Sequence, residues 1–323
     1  MKNLIFLNLY KFLLVLCITI LTFLAYVFQD AILSKTNKFM PKFQSLNLNQ
    51  NLLNIPIDIS KTSPSINYPN IAIIQLSNKK QGDHEYHVYA ESRRNKKEYA
   101  DKHNYTVFVD EPTDFSRHVY WYKFISIQKA FNITRPDDWV WLVDSDTIIT
   151  NMNIELNRLP HYATKLNYHI ILTRSCSDIN GGSILYRNSP LALNFVRDAW
   201  NTMGKEVDIS DEWRDQRAVI VTSKKPAYKD AILFVPVNCM NSIPLSTIQK
   251  YPKQCANQTE WREGDFLVHF AGNHNEKLFF EYVEKGKALN DKNNSQVLKE
   301  FNTKNWLNYI NEWRKEKNLT LLF

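Results

Sequence analysis

The stretch Trp139 to Asn151 reads W-V-W-L-V-D-S-D-T-I-I-T-N, and its first half decides the fold. Five apolar residues, Trp139 to Val143, run without a break. Such a run has no polar face to turn to water. It predicts a strand buried on both sides, as in a mostly parallel sheet flanked by helices. Asp144-Ser145-Asp146 follows at once, so two carboxylates emerge at the strand's carboxyl end, where open α/β sheets take their ligands. Two aspartates separated by one small residue suit a hard divalent cation that keeps water and phosphate oxygens in its shell. Such a cation would hold a diphosphate and offset its charge as it leaves.

Strands and helices alternate outward from this centre. Ile71–Leu76 reads as a first strand, ending at Ser77. Tyr89–His103 reads as a helix in which Arg93, Arg94, Lys96 and Lys97 form a solvated face behind Tyr89, Ala90, Tyr99 and Ala100. Tyr105–Val109 alternates like a second strand, and Trp121–Phe131 reads as a helix with Lys123 on its first turn. Beyond the centre, strands are expected at Ile170–Thr173, Ile184–Arg187, Leu233–Val237 and Gly264–Gly272. A helix is expected at Ala192–Thr202, and Asp211–Ala218 places a dense polar set at another helix start. This alternation predicts an α/β sheet.

Two further features point to a site. The chain has only 7 glycines in 323 residues, and two of them are adjacent at Gly181-Gly182. Paired glycines serve either a tight turn or a close backbone approach to a ligand. His269 stands at a strand end beside Gly272. A lone histidine is usually structural, but in this position it is a candidate third metal ligand through one neutral ring nitrogen.

The formal charge of +7 is spread through Lys-rich helical stretches, and no nucleic-acid-binding motif accompanies it. It implies mild attraction to phosphorylated ligands and no nucleic-acid partner. Phe12–Phe28 is seventeen residues without a charge. Extended back over Leu4–Tyr10 it reaches the roughly 20 residues a bilayer requires. No small-x-small cleavage site follows, so an uncleaved signal anchor is expected. Lysines lie on both sides of the segment and do not settle its orientation. Sequons at Asn104, Asn132, Asn257, Asn293 and Asn318 all follow it, which fits a body in the secretory lumen. The expected layout is a cytosolic tail (1–11), a membrane-spanning helix (12–28), an Asn-, Ser-, Lys- and Pro-rich stem (29–68) and a catalytic body (69–323). Of the four cysteines, Cys17 lies in the span. Cys239 with Cys255 would close a short loop in an oxidising lumen, leaving Cys176 free and buried; the spacing alone leaves this pairing open.

The order of motifs then matters more than any one of them. The series is S-N-x3-G-x-H at Ser77–His84, E-Y-A-D-K-H-N-Y at Glu98–Tyr105, W-x-K at Trp121–Lys123 and the central W-V-W-L-V-D-S-D. It continues with N-G-G-S-I-L-Y-R-N-S at Asn180–Ser189, D-Q-R-A at Asp215–Ala218 and G-D-F-L-V-H-F-A-G at Gly264–Gly272. It resembles the galactosyltransferase/mannosyltransferase family (glycosyltransferase family 34) of fungal α-1,2-galactosyltransferases, α-1,6-mannosyltransferase subunits and plant xyloglucan xylosyltransferases. The resemblance covers roughly Asn70 to His274. It implies a GT-A, Rossmann-like fold with a D-x-D motif and a retaining, Mn²⁺-dependent transfer of a hexose, galactose or mannose. The donor would be a nucleotide sugar, a UDP-sugar ahead of GDP-mannose, and the acceptor a mannose-containing glycan.

Carried over by position, Asp144, Asp146 and His269 would hold the metal. Ser77, Lys123 and Ser145 would lie around the nucleotide and diphosphate. Asn180, Gly181 and Gly182 would line the sugar pocket, with Gly272 also on the donor, and Asp215 and Gln216 would sit on the reacting face. The chain departs from the family at Asn273, where a cysteine is common, and at His274, where plant members carry a phosphate-contacting lysine. The resemblance also implies a type II Golgi membrane protein, alone or with related transferases as a homo- or hetero-oligomer. Two other readings stay open: a non-catalytic subunit of a transferase complex, and a D-x-D phosphatase. In the latter Thr147 falls one position early, and some seventy residues of apparent fold precede the motif.

Overall fold

The computed structural model describes residues 68–323 apart from 78–79, 114–115, 177, 257, 259 and 292–294. The apolar segment Phe12–Phe28, the stem through residue 67, Asn257 and Asn293 lie outside the described residues. Among the described residues the strands are β1 (Ile71–Leu76), β2 (Thr106–Asp110), β3 (Trp139–Val143), β4 (Thr147–Ile149) and β5 (Ile170–Ser175). They continue with β6 (Asp178–Ile179), β7 (Ser183–Arg187), β8 (Ile232–Val235) and β9 (Leu267–His269). The longer helices that precede β8 are α1 (Tyr86–His103), α2 (Tyr122–Ile133), α3 (Arg158–Lys165), α4 (Pro190–Trp200) and α5 (Arg214–Ser223).

The run Trp139–Val143 is a strand buried along its whole length. Its side chains alternate between two cores. Trp139, Trp141 and Val143 join Ile71 and Ile73, Tyr99 of α1 and Ile310 of the helix Thr303–Glu316. Val140 and Leu142 join Ala72 and Ile74, Phe124 and Ile127 of α2, and Phe195 of α4. Helices cover both faces, which is why the run needs no polar residue.

The sheet is mixed rather than mostly parallel. Its order is β2-β1-β3-β7-β5, with β6 and β8 both pairing β5. β1 is parallel to β2 and β3, and β8 is parallel to β5. β7, however, runs antiparallel to both β3 and β5. Residues 176–182 between β5 and β7 are too few for the crossover of about a dozen residues that parallel pairing requires. The chain therefore turns back, and the glycine pair sits in that return.

Two local signals set helix ends. Ser189 caps α4 by accepting the Ala192 N–H at 3.3 Å, with Pro190 at the first position. Asn104 ends α1 in the left-handed conformation (φ 57°), its N–H donating to the Ala100 carbonyl.

Two further expectations fail. The four cations of α1 do not share a solvated face: Arg93, Arg94 and Lys97 are exposed, while Lys96 is wholly buried. Tyr89, Ser92, Lys96 and Tyr99 fall three or four residues apart and so share the inward side. The disulfide joins Cys176 to Cys255, 79 residues apart in sequence, and not Cys239 to Cys255. Cys239 instead packs into the core from the helix Val237–Met240, where burial pushes its thiol well above the usual range.

β4 leaves the sheet just after Asp146 and pairs antiparallel with β9, Thr147 opposite His269 and Ile149 opposite Leu267. Thr150 Oγ1 donates to the Asp265 carbonyl at 2.7 Å and extends the contact beyond the ladder. This two-stranded corner carries the histidine to the acidic pair. No helix among the described residues is long and apolar enough to cross a membrane. Asn104, Asn132 and Asn318 are exposed, so three of the five sequons are open to modification.

Candidate active site

A cleft of about 640 Å³ opens at the carboxyl ends of β1 and β3. Every site residue expected from the sequence lines it: Ser77, Lys123, Asp144, Ser145, Asp146, Asn180, Gly181, Gly182, Asp215, Gln216, His269 and Gly272. Ser77 is buried at the end of β1, its N–H donating to the Asp110 carbonyl at 3.1 Å.

The acidic turn is fixed through its backbone. The Asp144 N–H donates to the Gly182 carbonyl at 2.9 Å, and Thr147 Oγ1 donates to the Asp144 carbonyl at 2.7 Å. The Asp146 carbonyl accepts the Phe270 N–H at 2.9 Å. His269 Nε2 lies 3.3 Å from Asp146 Oδ1, and one ligand atom each from Asp144, Asp146 and His269 fall within 4.8 Å of one another. Burial by itself would raise the Asp146 carboxyl, but the neighbouring His269 outweighs it and holds the group below the usual carboxylate range. Burial likewise works against protonation of His269, and Asp146 more than offsets it, raising the imidazole. Two carboxylates and one imidazole nitrogen converging on one point form a donor set suited to a divalent metal such as Mn²⁺.

Of the two adjacent glycines, Gly182 is the one required on steric grounds. A Cβ on Gly182 would fall 2.0 Å from His269 Cε1, and one on Gly181 would fall 3.5 Å from Gln216 Cβ. A side chain at Gly182 would therefore have to displace the buried imidazole that fills the space. The Gly181 N–H donates to Gln216 Oε1 at 3.0 Å, which ties the glycine turn to the first turn of α5. That helix starts at Arg214 with a positive φ of 38°, a costly conformation for a non-glycine residue, and so delivers Asp215 and Gln216 into the cleft.

Lys123, on the first turn of α2, stands between two carboxylates. Its Nζ lies 2.7 Å from Asp144 Oδ1 and 3.0 Å from Asp215 Oδ2. Burial acts against its charge, but the pair of carboxylates more than offsets that and raises it above the ordinary lysine value. Asp215 is raised in turn, first by its own burial and partly by Asp144, with Lys123 acting against both.

The chain has known relatives. The galactosyl transferase GMA12/MNN10 family matches residues 67–161 and 156–279. The chain belongs to that family. The enzyme class that goes with the family is a nucleotide-sugar-dependent hexosyltransferase, and the phosphatase reading lapses. A probable α-1,2-galactosyltransferase of Schizosaccharomyces pombe, gmh2, is 24% identical over 239 residues, covering 63% of this chain and 66% of the relative. A probable α-1,6-mannosyltransferase of Saccharomyces cerevisiae, MNN10, is 23% identical over 316 residues, 80% of this chain and 79% of the relative. Among solved structures, a glycosyltransferase involved in glycosylating the major capsid of PBCV-1 overlays with a TM-score of 0.46. It is 16% identical and covers 69% of this chain and all of the other.

Several site-building residues carried no signal that the sequence reading used. Lys96 donates to the Thr147 carbonyl at 3.1 Å and to Ser92 Oγ, and Ser92 Oγ donates to the same carbonyl at 2.9 Å. Asn95 brackets Ile149, accepting its N–H at 2.8 Å and donating to its carbonyl at 3.0 Å. The inward face of α1 thus grips β4 directly behind the acidic pair. The three-and-four spacing of Tyr89, Ser92, Lys96 and Tyr99 is the pattern that would have revealed it. Asn241, fully buried against His269, had no such pattern. Nor did Tyr120 and Trp213, exposed aromatic rings in the cleft lining.

Proposed function

We propose that this chain is a retaining, metal-dependent glycosyltransferase of GT-A fold that moves galactose or mannose from a nucleotide sugar to a glycan hydroxyl, forming an α-linkage. The observation that carries this reading is the convergence of Asp144, Asp146 and His269 within 4.8 Å, in the same cleft as the Asn180–Gly182 turn and Gln216. A divalent cation bound there, Mn²⁺ on this reading, would act as a Lewis acid on the diphosphate and offset the charge of the leaving group.

The chain's own residues supply the rest. Lys123 holds Asp144 and Asp215 in place through ion pairs at 2.7 and 3.0 Å, so the carboxylates need no reorganisation when substrate arrives. Asn180, Gly181 and Gly182 form the turn that lines the sugar pocket, and Gly182 leaves room for the His269 ring. Gln216 is anchored by the Gly181 N–H at 3.0 Å. An amide is a poor nucleophile, so Gln216 serves to stabilise positive charge at the sugar carbon. Asp215 carries a carboxylate, but one of its oxygens is held by Lys123. Attack of the acceptor hydroxyl on the face the diphosphate leaves, with a leaving-group oxygen as base, fits this arrangement better than a covalent intermediate. Trapping a glycosyl adduct on Asp215 would overturn that preference.

The donor is a UDP-sugar or GDP-mannose and the acceptor a mannose-containing glycan. The setting is the Golgi membrane, with the body lumenal, anchored through Phe12–Phe28, alone or beside a related transferase. The deciding experiment offers the body, from Tyr68 on, Mn²⁺ and a panel of UDP- and GDP-sugars, and follows hydrolysis and transfer to α-mannosides. Turnover abolished by EDTA and by Asp144→Ala is the expected result. A folded protein that neither binds nor turns over any donor would point to a subunit that works only with a partner.

A further inference from the structure

The hydrogen bonds beside His269 fix which ring nitrogen can face a cation. The argument starts from a group whose role is not in doubt, the backbone N–H of Gly182, which can only donate. It donates to one side-chain atom of Asn180 at 2.9 Å, so that atom is the carbonyl oxygen Oδ1. The same oxygen lies 2.8 Å from the amide of Asn241, which must therefore present its nitrogen there. Thr173 Oγ1 accepts the second N–H of that nitrogen at 3.2 Å. The Asn241 oxygen is then turned the other way, 2.9 Å from His269 Nδ1. An amide oxygen only accepts, so Nδ1 carries the proton in the neutral ring. Nε2 is left with its lone pair, on the side of Asp146.

We propose that Asn241 is a positioning residue that couples the metal ligand His269 to the sugar-pocket residue Asn180. With its oxygen it selects the His269 tautomer that can ligate through Nε2. With its nitrogen it holds the Asn180 oxygen inward, so that the Asn180 amide nitrogen is the end left for a ligand. The chain Gly182–Asn180–Asn241–His269 closes on itself, because His269 Cε1 occupies the space a Gly182 side chain would need. Asn241, Thr173 and His269 are buried and Asn180 nearly so, which shields these bonds from competing water. Outer partners of this kind typically change metal affinity by about 10- to 100-fold when lost.

This inference rests on the reading of Asp144, Asp146 and His269 as metal ligands, and the test separates the two. Mn²⁺ affinity is measured by titration calorimetry without any donor, on the wild type, His269→Ala, Asn241→Leu and Asn241→Asp, with folding checked by circular dichroism. Asn241→Leu removes both functions, and Mn²⁺ should bind about 10- to 100-fold more weakly. Asn241→Asp keeps an acceptor for Nδ1–H and loses the donor to Asn180. Its Mn²⁺ affinity should return to within about threefold of wild type, while the KM for the donor nucleotide sugar rises about tenfold. Should Asn241→Leu not fold, Asn241→Ser, too short to reach the ring, takes its place.

Wild-type Mn²⁺ affinity in both Asn241 variants would overturn the inference. So would an Asn241→Asp protein as weak as Asn241→Leu, since the residue would then serve packing alone. Wild-type protein that binds no Mn²⁺, or a His269→Ala protein that binds it undiminished, would instead remove the metal-site reading on which the inference stands.

Discussion

Lys123 and Lys96 flank the same acidic pair, both buried, and their surroundings drive them apart. Lys123 approaches from the cleft side and meets two carboxylates, Asp144 at 2.7 Å and Asp215 at 3.0 Å. Lys96 approaches from behind, through α1, and meets only neutral oxygens, the Thr147 carbonyl at 3.1 Å and Ser92 Oγ. Desolvation acts against the charge on both. Close carboxylates reverse it for Lys123, which is raised above the ordinary lysine value. For Lys96 the more distant Asp146 and Asp144 offset it only in part, and the group is lowered from 10.5 to about 7. Partner chemistry, not depth of burial, decides whether a buried lysine is a fixed charge or a poised one.

The contrast can be broken by removing either cation. Lys123→Met leaves Asp215 and Asp144 facing each other in a buried site without compensation. Such losses typically cost about 3–5 kcal/mol, and turnover should fall by about a hundredfold or more. Urea denaturation in EDTA and donor turnover would measure both, and an unchanged midpoint would end the fixed-charge reading. The Cys176–Cys255 bridge gives an independent comparison. Replacing Cys176 and Cys255 by serine opens a loop of 79 residues and should cost about 2–4 kcal/mol. The high-pH behaviour of Lys123 should survive that change, because the ion pairs do not depend on the bridge.

Gly182→Ala probes the corner where front and back meet. Its Cβ would sit 2.0 Å from His269 Cε1, so the ring must move. We expect about 1–3 kcal/mol of lost stability from overpacking, together with weakened Mn²⁺ binding. Normal metal affinity in a folded Gly182→Ala protein would show that the ring can shift without leaving the site.

The smallest effect at neutral pH is expected for Lys96→Met, within about 1 kcal/mol of wild type, since a poorly compensated charge is being removed along with its hydrogen bonds. The diagnostic is the pH trend. The Lys96 ammonium is lowered to about 7 in the folded protein against 10.5 as its ordinary value. Between these values the unfolded chain binds the extra proton, so wild type should gain stability over Lys96→Met as pH rises from 7 toward 10. The slope should approach about 1.4 kcal/mol per pH unit. Lys123 has the opposite sign. Its folded value is raised, so its contribution is complete below 10.5 and is lost only at higher pH. A wild-type-to-Lys96→Met difference that stays flat from pH 7 to 9 would sink the distinction.

The two lysines also mark how far the sequence could be read. Lys123 could be put on the first turn of its helix from the local pattern, and in the site only through the family resemblance that W-x-K helps to carry. Lys96 could not, because a lysine among three exposed cations looks like surface, and only the spacing of Tyr89, Ser92 and Tyr99 betrays its face. The strand Trp139–Val143 was legible because two-sided burial leaves a direct mark, an unbroken apolar run. The reversal at β7 left no such mark, since direction depends on which strands meet and on the few residues between β5 and β7. Cysteine pairing failed for a related reason. Nearness in sequence favoured Cys239, and the fold brought Cys176 to Cys255 from 79 residues away. Asn241 works through one hydrogen bond to a ring and has no period to detect.

The corner formed by β4 and β9 also sets a clock. Thr150 and Asp265, which extend that pairing, lie 115 residues apart. During synthesis the acidic turn leaves the ribosome long before its histidine does. A chain halted before β9 can build β1 to β3 and carry both carboxylates, yet it lacks the ring that completes the triad. The three-residue donor set is therefore completed late, when only the chain beyond β9, with the helix Thr303–Glu316 that closes the core, remains to be made.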